Sequence, residues 1–105
     1  MNGCRKGADG ERELARLLRD HGFKTERGGT CSYGTAPDLS GLPGIHIECK
    51  RVERLNIRKA MDQAEADAAK FRDGAPTVFH RQNRGAWLVT MSFDDWIKLY
   101  KKNQT

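Results

Sequence analysis

No stretch of this chain is apolar enough to matter to a membrane. Nothing approaches the ~20 consecutive apolar residues that cross a bilayer, and the N-terminus has no apolar core of the kind a secretory signal carries. Cysteine is sparse: Cys4, Cys31 and Cys49 are widely spaced and odd in number. They form no CxxC pair and no Cys/His pattern with the spacing of a structural zinc site, so free thiols in a reducing compartment are expected. Internal repeats and low-complexity segments are also missing. These absences predict a cytoplasmic protein that makes no membrane contact.

What is present suits one small globular domain. The 105 residues support one modest core, predicted as a single domain over residues 1–105. Hydrophobic residues make up 37% and charged residues 31%, a balance that sets the chain apart from disordered sequences. The net charge is +5 with a pI near 9.4, which favours acidic partners, nucleic acid first among them.

Residues 1–8 are polar and basic and are expected to form a flexible arm. Asp9 can cap a helix running to about residue 20, with Leu14, Ala15, Leu17 and Leu18 on one face. Gly22 suits a left-handed helix end. Short strands are expected over 23–27 and 37–40, separated by a Gly/Ser/Thr-rich loop over 28–36. The turn Gly41-Leu42-Pro43-Gly44 leads into the clearest strand, 45–52. A helix follows over 56–71, with Ile57, Ala60, Met61, Ala64, Ala68 and Phe71 in one stripe. Strands over 76–80 and 86–91 flank the turn Gln82-Asn83-Arg84-Gly85. Ser92 with Asp95 resembles a capping box for a short C-terminal helix bearing Phe93, Trp96, Ile97 and Tyr100. The order α-β-β-β-α-β-β-α predicts an α/β fold, a mixed central sheet flanked by helices. Trp87 and Trp96 are expected in the core.

Strand alternation in Ile45-His46-Ile47-Glu48-Cys49-Lys50 sets Ile45, Ile47 and Cys49 on one face and His46, Glu48 and Lys50 on the other. A carboxylate and an ammonium two residues apart can hold a divalent metal and steady charge on a phosphate. Taken alone, the pair fits an exposed ion pair on a solvated face better than a catalytic one. Asp38 follows Pro37 and lies across the 41–44 turn from Glu48, so a hairpin would bring the two carboxylates together; a plain Pro-Asp turn is the alternative. On a helical wheel Glu11 lies about 40° from the centre of the apolar face and Glu13 roughly 120° away. Glu11 should therefore turn toward the protein, where it needs a partner or a metal, unless it serves only the helix dipole. Glu13 should face solvent.

Pro37-Asp38 followed by Glu48-Cys49-Lys50 resembles the PD-(D/E)xK nuclease signature. The opening Lys6-Gly7-Ala8-Asp9-Gly10-Glu11-Arg12-Glu13-Leu14, the helix break His21-Gly22-Phe23 and the Gly/Ser-rich loop before Pro37 resemble the archaeal Holliday-junction resolvase family, from about Lys6 to Gln63. Residues 80–89 look more like small phage or prophage members of the superfamily. The resemblance implies a restriction-endonuclease-like α-β-β-β-α-β core and hydrolysis of DNA phosphodiesters, structure-selective on branched DNA. It implies Asp38, Glu48, the Cys49 backbone carbonyl and Glu11 as metal ligands, with Mg2+ as cofactor and Mn2+ able to replace it. Lys50 is then the catalytic lysine, and Gln63 stands where many superfamily members place a glutamine on the helix after the lysine strand. As an isolated residue, Gln63 fits a solvent-facing position better. A homodimer and a bacterial host, with phage or prophage coding open, are implied in the same way. Alternatives are a phage-type nuclease of the same fold that cuts flaps, single strands or nicked duplex, and a DNA-binding module without catalysis.

Basic and polar residues around this set are expected to meet DNA: Arg5 and Lys6 on the arm, Arg27, Thr30 and Ser32 about the loop, Arg51, Arg54, Arg58 and Lys59 after the catalytic strand, and His80, Arg81 and Arg84 near the last hairpin. Contacts of this kind to phosphate give salt-sensitive binding with little sequence readout.

Overall fold

The computed structural model describes residues 2–28 and 37–104, with side chains from residue 7 onward. Eight elements follow the expected order: α1 (Asn2–Asp20), β1 (Glu26–Arg27), β2 (Leu39–Ser40), β3 (Ile45–Arg51), α2 (Ile57–Phe71), β4 (Ala75–Arg81), β5 (Leu88–Met91) and α3 (Phe93–Asn103). The strands form one sheet in the order β1-β2-β3-β4-β5. Neighbours are antiparallel except β3 and β4, which run parallel and are joined through α2. A parallel pair needs such a crossover, because its second strand must start again at the same end.

The two larger helices cover opposite faces. Leu14 and Ala15 of α1 pack with Leu39, Ile47 and Phe79, and Ala60, Met61 and Ala64 of α2 pack with Val78. Successive residues Val78 and Phe79 thus point to different helices, as strand alternation requires. Asn56 caps α2 by accepting from the Lys59 N–H at 3.0 Å, and Ser92 caps α3 by accepting from the Asp95 N–H at 3.1 Å. Gly22, with φ +95°, ends α1 as the sequence predicts. Among the described residues no helix is long and apolar enough to cross a membrane.

Several expectations are corrected. The helix starts at Asn2, so residues 2–8 are helical rather than a flexible arm. Asp9 lies inside α1 and pairs with Arg12 at 3.2 Å instead of capping. Tertiary packing explains this: Ala8 is buried, and a Cβ at Gly10 would lie 3.1 Å from Arg51 Cβ and 3.7 Å from Cys49 Sγ. Close docking on β3 outweighs the poor helix propensity of glycine there. The first strand is only two residues long because the Thr25 N–H turns back to the Phe23 carbonyl at 2.9 Å. Glu13 does not face solvent alone but pairs with Arg81 of β4 at 3.3 Å. Trp87 packs at the edge of the core, whereas Trp96 is 46% exposed and α3 has no buried residue. Nor is the second face of β3 solvated: α2 covers it, leaving His46 at 2% and Glu48 at 6% exposure.

Candidate active site

The site forms where β2, β3, α1 and α2 meet. Leu39 of β2 lies opposite Ile47 of β3, and in an antiparallel register that sets Asp38 opposite Glu48. Glu48 and Lys50 share a face of β3, with Lys50 Nζ 3.6 Å from Glu48 Oε2. Glu11 approaches from α1, where Arg27 Nε donates to its Oε1 at 3.2 Å. From α2 comes Asp67, whose Oδ1 accepts from Gln63 Nε2 at 3.1 Å. Lys50 opens onto a groove lined in part by Asn56, Lys59 and Gln63.

So many acids at one spot repel one another. Burial raises the Glu11 carboxyl to about 7, helped by the charge of Asp38 and opposed by Arg27. Asp38 is raised from its ordinary value by burial and then by Glu48, with Lys50 opposing. Behind them, burial and then the charges of Glu11, Asp38 and Glu48 push the Cys49 thiol up to about 12. Carboxylates that raise one another's pKa are relieved by a proton or by a cation. Oxygen donors are the set that suits a hard divalent ion such as magnesium.

The profile of the archaeal Holliday junction resolvase (Hjc) family matches residues 2–102. The chain belongs to that family. It is thereby a member of the PD-(D/E)xK nuclease superfamily. Its fold is similar to the solved structure of Archaeoglobus fulgidus Hjc, a Holliday junction resolvase from an archaeal hyperthermophile, with a TM-score of 0.58 and 25% identity. That alignment covers 82% of this chain and 72% of the other. No curated protein matches the chain. The Hjc match extends well past Gln63, where the sequence resemblance stopped, and takes in β4, β5 and α3.

Against this Hjc framework the predicted residues divide. Glu11, Asp38, Glu48 and Lys50 converge, and Gln63 reaches the site through Asp67. Of the predicted DNA contacts, Arg54, Arg58, Lys59 and Arg84 are exposed. Arg27 and Arg81 are instead held by Glu11 and Glu13, and Arg51 is half-buried with its Nε unpartnered among the described residues. The ring of His80 faces Thr90, 2.8 Å from its Oγ1, and burial lowers its pKa. The side chains of Arg5 and Lys6, and residues Thr30 and Ser32, lie outside the described set.

His46, Asp67 and Asp73 lie near the site and escaped the sequence reading. His46, Glu48 and Asp67 offer ligand atoms within 4.8 Å of one another, and Asp73 holds the His46 ring at 2.9 Å. Strand parity already set His46 beside Glu48. The signal was there, but a solvated face gave no reason to use it.

Proposed function

We propose that this chain is a metal-dependent endonuclease that resolves four-way DNA junctions. The convergence of Glu11, Asp38 and Glu48 beside Lys50, in a chain of the Hjc family, carries the reading. Asp38, Glu48 and the Cys49 carbonyl would hold Mg2+, with Mn2+ as a substitute and Glu11 as a further acid bound directly or through water. The cation, when bound, lowers the pKa of a water and offsets charge developing on the phosphate.

The chain's own groups do the rest. Glu48 keeps the Lys50 ammonium at the mouth of the groove, where it can orient the attacking water or stabilise the charge gathering on the phosphoryl oxygens. Arg27 holds Glu11 in place, and Gln63 fixes the Asp67 carboxylate. Water attacks phosphorus in line with the leaving oxygen and gives up a proton to solvent. One P–O ester bond breaks, and the departing oxygen takes a proton from solvent. The exposed Arg54, Arg58, Lys59 and Arg84, with Arg5, Lys6, Thr30 and Ser32, would contact the DNA backbone, so binding should weaken steeply with salt.

Paired cuts across a junction need two sites, hence a homodimer. Phe93, Trp96 and Tyr100 recur at helical spacing on α3, and all three are exposed. Trp96 and Tyr100 stack with ring centroids 5.4 Å apart. A bare aromatic stripe of this kind suits burial against a second copy. Trp96→Asp should shift the protein toward monomer in sedimentation and lower paired cutting. Unchanged sedimentation would remove α3 from the interface.

The test of the function offers synthetic four-way junction, flap, duplex and single strand with Mg2+. Preferential cutting of the junction is expected. Equal cutting of all four would discard the resolvase reading.

A further inference from the structure

His46 has one ring nitrogen accounted for and one that is not. Its side chain is 2% exposed, and Nδ1 lies 2.9 Å from both carboxylate oxygens of Asp73. With a hydrogen on Nδ1 shared with Asp73, Nε2 carries either a proton turned toward Glu48 or, in the neutral ring, the lone pair a cation needs. That nitrogen has no hydrogen-bond partner among the described residues. Its neighbour Glu48 Oε1 stands 3.6 Å away, beyond ordinary hydrogen-bond length. Buried polar atoms are seldom left so, because each forfeits its bonds to water.

The surroundings explain what such a nitrogen is for. Glu48 and Asp67 complete a group of three whose ligand atoms lie within 4.8 Å of one another. Zinc-like ions sit at about 2.0–2.2 Å from nitrogen and oxygen ligands, so small side-chain adjustments close the group around one ion. A carboxylate on the far nitrogen of the ring is how proteins orient a metal-binding imidazole. On Asp67, Gln63 occupies one oxygen and fixes the carboxylate.

We propose that His46 Nε2, Glu48 and Asp67 form a second cation subsite, with Asp73 as the residue that positions His46. Because it contains an imidazole nitrogen, the subsite takes borderline ions of the zinc class in preference to magnesium. It shares Glu48 with the proposed cleavage site and to that extent rests on that reading.

The test uses the full-length, metal-free, 15N-labelled protein and Zn2+ alone, without DNA. Three histidines report: His21, His46 and His80. One equivalent of zinc should move the Nε2 resonance of His46 and leave those of His21 and His80 in place. Calorimetry should show zinc affinity lowered at least about 10-fold in His46→Gln and Asp67→Asn. Asp73→Asn should cost about 10–100-fold, as loss of an outer partner does. In each case Mg2+ affinity should fall less than zinc affinity. The wild-type spectra need no variant, so a variant that fails to fold leaves the test intact. A His46 resonance unmoved at saturating zinc overturns the proposal, as does equal zinc affinity in folded His46→Gln. Junction cleavage in Mg2+ is measured separately: zinc on His46 without cleavage supports the subsite and counts against the proposed function, and cleavage with an unmoved His46 does the reverse.

Discussion

Replacing Glu11 by Gln removes a carboxylate that folding makes harder to ionise. Its pKa rises from 4.5 to about 7, first through burial and then through the charge of Asp38. An acid whose pKa is higher in the fold than in the unfolded chain costs nothing at low pH, where both states carry the proton. The cost grows as pH climbs from the unfolded pKa to the folded one, and above that it is felt in full. The whole displacement corresponds to about 3 kcal/mol. Although the side chain is only 13% exposed, its neighbour Asp38 is exposed to solvent, and screening reduces the figure to about 1–2 kcal/mol. Gln still accepts from Arg27, so that bond survives the change. Urea unfolding in EDTA should therefore find Glu11→Gln more stable than wild type by about 1–2 kcal/mol near pH 8, with the gain gone near pH 4. Cleavage of a junction should be lost in the same variant. A variant less stable than wild type near pH 8, or an equal gain at both pH values, would refute the claim that folding works against Glu11 ionisation.

Divalent cation should reverse the same strain: Mg2+ at about 100 times its dissociation constant should stabilise the chain by about 2.7 kcal/mol in thermal melts, and Asp38→Asn should weaken that response. At the foot of the sheet, Gly74 has φ +138°, and a Cβ there would lie 2.3 Å from the Gly44 carbonyl carbon. Gly74→Ala should cost about 3 kcal/mol or more from backbone strain and overlap combined, read as a lower urea midpoint; an unchanged midpoint would show that the two strand starts can part freely. Raising salt should weaken junction binding in a log–log line, and Arg58→Ala with Lys59→Ala should flatten its slope by about 2. A gel-shift series checks this directly.

Much of the site was legible because strand and helix periodicities are local. Parity alone joined Glu48 to Lys50, the 41–44 turn set Asp38 opposite Glu48, and the wheel turned Glu11 inward; the structure brings these groups together as expected. What stayed hidden depends on contacts between distant segments. Nothing near Gly7 and Gly10 signals a helix, and the close docking of Gly10 on β3 is a tertiary contact that the local sequence does not show. Asp73 lies 27 residues beyond His46 and reaches it only because β3 and β4 pair in parallel with their starts together. The wheel of α3 shows an aromatic stripe identical to that of a core helix, and periodicity does not say whether anything covers it. Charge alone also hides pairing: Arg27 and Arg81 look like free cations in the sequence, and in the fold each has a carboxylate partner.

The central claim is that Lys50 and Glu48 cut DNA within a site that Asp38 and Glu11 complete. Its most direct test compares wild type, Glu48→Gln and Lys50→Ala on one four-way junction, with binding read in EDTA and cleavage read in Mg2+. Wild type should cut the junction, and both variants should bind it as wild type does while cleaving at least about 100-fold more slowly. Normal cleavage by either variant would contradict the account.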